Sequence, residues 1–282
     1  MYCDLHTHSI YSDGTCTPAE ILHTAKEQNL IVALTDHNSV SGLPEFMAAA
    51  RELGVPAVPG IEFTTEDQGL EIHMVALFVR PESYDAIRAY VEGFDRLKAE
   101  SNRALVERLN AAGYYISYEE IVAQTPDGRV NRANIGAELV KKGYVTTVKE
   151  AFSQLLREEC GYYVPAPRAD TLDTISFIRS IGAVPVLGHP LLTMDEARLR
   201  QLLPRAKERG LVAMETQYTS YDPETLALAS QIAGEFGLLE SGGSDFHGEN
   251  KPGNPLGSGR NGLQIPEGVY RGLYQWAQEN RQ

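Results

Sequence analysis

The strongest constraint in this chain is an alternation: short apolar segments rich in β-branched residues recur along it, separated by stretches of helical pattern. The segments are Tyr2 to His8, Ile31 to Thr35, Ala57 to Phe63, Ile72 to Val79, Ala183 to Gly188, Leu211 to Glu215 and Leu238 to Gly242. Such alternation predicts an α/β fold built from successive β-α units around parallel strands. At 282 residues the chain has room for one large α/β domain, or for a barrel carrying a smaller insertion.

The first helix has a readable start, because Thr17 can cap it, Pro18 suits its first position and Glu20 completes a Thr-x-x-Glu capping box; it is expected to run to about Gln28. From Ser83 to about Ala112 the pattern is helical and heavily charged, and past Gly113 it continues in shorter helical pieces to about Glu159. This stretch reads as a mostly helical insertion, residues 83–159, expected to cover the mouth of a barrel formed by residues 1–82 and 160–282. Further helices are expected near Leu172 to Ser180, Asp195 to Arg209 and Pro223 to Phe236, and a loop over the Gly-, Pro- and Asn-rich segment Gly248 to Gly262.

No apolar run reaches the roughly 18 residues of a membrane span, and Met1-Tyr2-Cys3-Asp4 passes directly into a motif-bearing strand without a signal-peptide pattern. Cys3, Cys16 and Cys160 are an odd number with no Cys-x-x-Cys pair, so they read as reduced and incidental, and the expected location is the cytoplasm. A formal net charge of -13 opposes general attraction to a nucleic-acid backbone, so no stable nucleic-acid partner is expected. A small phosphorylated substrate held by a few local cations fits that charge.

His6 and His8 lie two apart on a strand, so both rings share a face with Asp4, which could stand behind them as an orienting carboxylate. His-x-His alone also occurs on ordinary surfaces. Here, however, acidic and histidine motifs recur at strand ends: Asp36-His37, Glu62, His73, Gly188-His189-Pro190 and Ser244-Asp245-Phe246-His247. Six of the seven histidines sit in these motifs; His23 falls inside the first predicted helix and reads as an ordinary helix residue. Parallel α/β barrels build active sites from the C-terminal ends of their strands, where residues far apart in sequence meet. Imidazoles and carboxylates without thiolates suit Zn²⁺, Mn²⁺ or Fe²⁺, and so many potential ligands exceed the three or so that one catalytic zinc takes.

At this point the chain resembles the PHP family, named for polymerase and histidinol phosphatase domains. The resemblance rests on Asp4-Leu5-His6-Thr7-His8, Ser12-Asp13-Gly14, Thr35-Asp36-His37, Gly60-Ile61-Glu62, Ile72-His73, Gly188-His189-Pro190 and Gly243-Ser244-Asp245-Phe246-His247, in that order. It implies a distorted (β/α)7 barrel with up to three divalent metal ions. It also implies their ligands: His6, His8, Glu62 and Asp245 for one; Glu62 again with His73 and His189 for a second; Asp13, His37 and His247 for a third. The subgroup it resembles comprises stand-alone phosphoesterases similar to nucleoside 3',5'-bisphosphate phosphatase, some of them 5'-to-3' exoribonucleases, with a related branch of cyclic-phosphate dihydrolases. Where nucleotidase-like members show Arg-x-His-Phe-Ala-Arg in the insertion, this chain reads Arg132-Ala133-Asn134-Ile135-Gly136-Ala137.

Clustered divalent ions can lower the pKa of a bridging water and neutralise phosphoryl charge, so the expected chemistry is in-line attack by a metal-bridging hydroxide on a small phosphorylated metabolite. The catalytic candidates are Asp36, as a proton-transfer or orienting carboxylate, with His37 and His247; the substrate-binding candidates are Arg132, Asn134, Arg168, Lys251 and Arg260. The tyrosines Tyr114, Tyr115, Tyr118, Tyr162 and Tyr163 could stack a base, although packing inside the insertion is the commoner use of such a cluster. The alternatives are a cyclic-phosphate diesterase, an exoribonuclease, an amidohydrolase and a non-catalytic metal-binding domain. Amidohydrolases commonly add a bridging lysine where this chain has Gly60-Ile61-Glu62, and the complete ligand set disfavours a non-catalytic role.

Overall fold

The computed structural model describes residues 1–125, 128, 130–260 and 262–280. Contacts divide the chain into two compact units, residues 1–88 with 169–282, and residues 89–168.

The first unit is a strand ring with helices between its strands. In chain order it contains β1 (Tyr2–Asp4), α1 (Pro18–Glu27), β2 (Leu30–Leu34), α2 (Leu43–Leu53), β3 (Ala57–Asp67) and β4 (Leu70–Leu77). The helix α3 (Tyr84–Ala111) then carries the chain into the second unit, which holds α4 (Tyr118–Gln124), α5 (Arg132–Lys141) and α6 (Val148–Ala151). Back in the first unit follow β5 (Ala169–Asp170), α7 (Thr171–Ser180), β6 (Val184–Leu187), α8 (Pro190–Thr193), α9 (Glu196–Glu208), β7 (Ala213–Tyr218), α10 (Pro223–Glu235), β8 (Leu239–Gly243), β9 (Ile265–Pro266) and α11 (Glu267–Glu279).

Seven strands run in the order β8, β7, β6, β4, β3, β2, β1, and Leu5 N–H to Gly242 O (3.0 Å) with a Thr7/Phe246 bridge joins the last to the first. This is the distorted (β/α)7 barrel. Its distortion is β4, which is antiparallel to both neighbours, where the sequence pattern predicted parallel strands throughout. The cause is local: Gln68 and Gly69 both have positive φ (52° and 81°), the backbone of a tight primed turn, so β3 folds straight back as a hairpin. His73, early in β4, therefore pairs with Thr64 near the C-terminal end of β3 and still reaches the same rim as the parallel strands' C-terminal ends. The short β9 pairs antiparallel with Tyr2 and Cys3, and β5 pairs with the end of β3.

The strand residues Cys3, Ile31, Ala33, Val58, Val75, Leu77, Val184, Val186 and Ala213 form one buried cluster with Leu273 and Ala277 of α11. β2 is buried at all five positions, as a strand covered on both faces should be. At α1 the capping box forms, with Thr17 accepting from Glu20 N–H and Glu20 accepting from Thr17 N–H (2.7 Å).

The second unit has its own core, including Leu105, Leu109, Ile121, Ile135, Leu139 and Leu156. Tyr118 and Tyr163 are buried in it and Tyr114 and Tyr162 pack against it, while Tyr115 is exposed. No helix of the described residues is long and apolar enough to cross a membrane.

Candidate metal centre

All nine side chains of the ligand set lie together at one end of the ring. β1 leads into His6, His8 and, after a tight loop, Asp13; β2 leads into His37; β3 holds Glu62; β4 holds His73; β6 leads into His189; β8 leads into Asp245 and His247. Glu62 occupies the middle, almost fully buried. Its Oε2 lies 3.1 Å from His6 Nε2, 3.2 Å from His8 Nε2 and 3.2 Å from His37 Nδ1. Its Oε1 lies 2.7 Å from His73 Nδ1 and 3.2 Å from His189 Nε2. Asp245 Oδ1 is 3.3 Å from His8 Nε2, and Asp13 Oδ1 is 3.1 Å from His247 Nε2.

These atoms fit divalent ions. Donors each about 2.1 Å from a shared ion stand roughly 3 to 3.5 Å apart, and most of the separations above fall in that range. Among the described residues ten buried side-chain polar atoms lack a hydrogen-bond partner, and eight belong to this cluster: His6 Nε2, His8 Nε2, Asp13 Oδ1, His37 Nδ1, Glu62 Oε2, His73 Nδ1, His189 Nδ1 and His247 Nε2. Orphaned buried polar atoms are costly unless something binds them, and their concentration beside the buried Glu62 and Asp245 carboxylates fits divalent ions bound among them.

Each of four imidazoles has its other nitrogen held from outside, the arrangement that orients metal-ligating histidines. His6 Nδ1 is 2.8 Å from Glu215 Oε1, His73 Nε2 is 3.3 Å from Glu71 Oε1, and His247 Nδ1 is 2.9 Å from Asp245 O. His8 Nδ1 lies 3.4 Å from Ser12 Oγ, whose hydroxyl donates to Asp36 Oδ1 at 2.7 Å. Asp36 also accepts from Ser9 N–H and Ser9 Oγ, both at 2.7 Å, so it fastens the loop that presents His8 and Asp13. Burial pushes its pKa up, against these hydrogen bonds. For Glu62 burial works in the same direction, yet the imidazoles of His6, His37 and His73 hold it well below the ordinary carboxylate range.

Asp4 does not support the imidazole rings. It accepts from Ser244 N–H and Oγ (2.9 and 2.5 Å) and from Gly257 N–H (2.8 Å), stapling β1 to the chain that follows β8. The carboxylate behind His6 is Glu215 of β7, and the Tyr218 hydroxyl donates to Asp245 Oδ2 at 2.8 Å; no sequence motif marks either residue. Close approach of β8 to β1 requires Gly243, because a Cβ there would sit 2.4 Å from His6 Cβ.

The candidate substrate cations divide between the units. In the first, Lys251 Nζ donates to Asp245 Oδ2 at 2.7 Å, and Arg260 Nε donates to the buried Asn254 Oδ1 at 2.7 Å. In the second, the Arg132 guanidinium lies over Tyr163 (4.3 Å) and donates to Leu156 O (3.2 Å). Asn134 closes a capping box with Asn131 at the start of α5, and Arg168 is the last residue of that unit.

Comparison with known proteins agrees with this geometry. The PHP domain family matches residues 4–159. A 5'-3' exoribonuclease of Haemophilus influenzae is 31% identical over 86% of this chain and 89% of its own length. A 3',5'-nucleoside bisphosphate phosphatase of Chromobacterium violaceum is 28% identical over 90% of both, and a phosphoribosyl 1,2-cyclic phosphate 1,2-diphosphodiesterase of Eggerthella lenta is 27% identical over 88% of this chain and 95% of that one. Among solved structures, one described as a metal-dependent phosphoesterase of Bifidobacterium adolescentis superposes with a TM-score of 0.84 at 28% identity, covering 97% of this chain and 95% of that one. Another, described as an amidohydrolase of Chromobacterium violaceum with bound sulfate and no metal, gives 0.83 at 25%, covering 98% and 96%. On the ligand cluster, the barrel and these matches together, the chain belongs to the PHP domain family and is a metal-dependent phosphoesterase.

Proposed function

We propose that this protein hydrolyses a small phosphorylated metabolite, a nucleotide or sugar phosphate of the nucleoside 3',5'-bisphosphate type, at a centre of three divalent ions. The observation that carries the reading is the position of Glu62, with one carboxylate oxygen facing His6, His8 and His37 and the other facing His73 and His189. A carboxylate so placed would hold an ion with each donor group, and Asp13 with His247 and His37 would hold a third. The nitrogen and oxygen donors suit Mn²⁺, Zn²⁺ or Fe²⁺. When bound, such ions polarise phosphoryl oxygens and make a nucleophile of water near neutral pH.

The protein's own groups do the rest. Asp36, through Ser9 and Ser12, holds the His8–Asp13 loop in place. Lys251 spends one N–H on Asp245 and keeps two further donors for phosphoryl oxygens, while Arg260 offers its guanidinium from the same loop. Free cysteines suit the cytoplasm, and the net charge of -13 opposes a long nucleic acid while leaving room for a small phosphorylated substrate held by local cations.

A 5'-3' exoribonuclease is the second reading, favoured by the name of the 31%-identical relative. The test is product analysis with Mn²⁺, each with and without chelator: inorganic phosphate from a nucleoside 3',5'-bisphosphate, ring-opened phosphomonoester and phosphate from a ribose 1,2-cyclic phosphate, and nucleoside 5'-monophosphates from a 5'-phosphorylated oligoribonucleotide. The proposal expects the bisphosphate to give the highest kcat/KM; faster turnover of the cyclic ester or the oligonucleotide overturns it in favour of that class.

A further inference from the structure

Every strand of the ring except β7 leads into or contains a member of the nine-residue ligand set, yet two β7 side chains, Glu215 and Tyr218, are buried against that set. They lie three apart, and on a regular strand such residues point to opposite faces. Here the pairing of β7 with β8 runs Glu215 to Ser241, then Gln217 to Gly242 and Tyr218 to Gly243, so Thr216 is an extra, unpaired residue. That is a β-bulge, and a one-residue bulge returns Tyr218 to the face that Glu215 occupies. Bulges of this kind re-aim side chains beside active sites.

What the two residues touch is specific. Glu215 Oε1 meets His6 Nδ1 at 2.8 Å, which fixes the ring with Nε2 directed at Glu62 and Asp245; with Nδ1–H donating to Glu215, Nε2 is the atom that an ion would take. Glu215 Oε2 accepts from the backbone N–H of His189 at 2.7 Å. Tyr218 donates to Asp245 Oδ2 at 2.8 Å, where Lys251 also binds, so only Oδ1 is left to face His8 and His6. His189 and Asp245 are also the two ligands with positive φ, 24° and 50°. Backbone in such regions is strained for a side-chain-bearing residue and persists only where the surroundings over-determine it. β7 supplies that restraint at both.

We propose that Glu215 and Tyr218, brought to one face by the Thr216 bulge, are positioning residues that fix His6, His189 and Asp245 for ion binding, so that β7 sets metal affinity without contributing a ligand. The proposal rests on the metal centre described above. It separates the roles of the strands: seven supply geometry, six of them supply donors.

The test compares Tyr218→Phe and Glu215→Gln with the wild-type protein by competition for Mn²⁺ against a chromogenic chelator, alongside the thermal midpoint of chelator-treated samples and kcat and KM on a phosphomonoester. Outer partners of metal ligands typically contribute about 10–100-fold in metal affinity. Each variant is expected to bind Mn²⁺ weaker by that factor, with kcat reduced, KM unchanged, and for Tyr218→Phe an unaltered midpoint of the metal-free fold. Wild-type-like Mn²⁺ affinity in both variants, or a fall only in the metal-free midpoint, overturns the proposal. A wild-type protein that fails to take up Mn²⁺ overturns the metal centre itself, a result the variants cannot mimic.

Discussion

Glu62 is the residue on which the centre turns, because among the described residues it is the one carboxylate within reach of five imidazoles. Glu62→Gln keeps its volume and removes its charge, so bound metal should fall and turnover should drop by at least about 100-fold, as when a metal's charge stabilisation of several kcal/mol is lost; elemental analysis and a phosphatase assay check both. His8→Ala should likewise lower metal content and turnover together, since His8 faces Glu62 and Asp245 at 3.2 and 3.3 Å. Unchanged metal in either variant would remove that residue from the ligand set. Lys251→Met is expected to raise KM by about 10-fold or more, the scale of a lost hydrogen bond to a charged group, and to weaken Mn²⁺ binding as well, because Lys251 shares Asp245 Oδ2 with Tyr218. The nine candidate ligands were legible because histidine and acid recur at strand ends and because the resemblance to the PHP family added Asp13 and the assignment of the set. Glu215 was not, although it ends the segment Leu211 to Glu215, because a lone acid at a strand end carries no partner in sequence; its partner His6 is 209 residues away.

At the scale of elements, most strands and helices follow from local pattern: β2, β6 and β8 fall within or beside the apolar segments, and α7, α9 and α10 run within a residue or so of their expected ends. The reversal of β4 was hidden because periodicity reports the faces of a strand and not its direction; only the Gln68-Gly69 turn fixes it. The Thr216 bulge was hidden for a similar reason, since it exists only in the pairing with β8. The β3–β4 hairpin is anchored to α9 by buried Asp67, which accepts from Arg198 Nη2 at 2.5 Å and Arg205 Nη2 at 2.6 Å. Asp67→Asn should lower stability by about 2–3 kcal/mol, two charge-assisted bonds weakened beside water, and a shift in urea midpoint would measure it. A midpoint within error of wild type would show that the anchor contributes nothing.

For the molecule as a whole, the barrel gathers seven strands so that their shared rim concentrates donors from residues 6 to 247, whereas the second unit packs Tyr118 and Tyr163 into its own helical core, with Arg132 over Tyr163. Charge at this scale is acidic, and the centre adds carboxylates and imidazoles whose unpaired atoms fit bound divalent ions. Bound ions should therefore stabilise the fold, by about 4 kcal/mol at a thousandfold excess over their dissociation constant, and chelation should lower the thermal midpoint reversibly. The most direct check of the three-ion phosphoesterase is to titrate chelator-treated protein with Mn²⁺ while following phosphate release. Activity should rise until about three equivalents per chain are bound and then level off; full activity without metal, or saturation at a single equivalent, would contradict it.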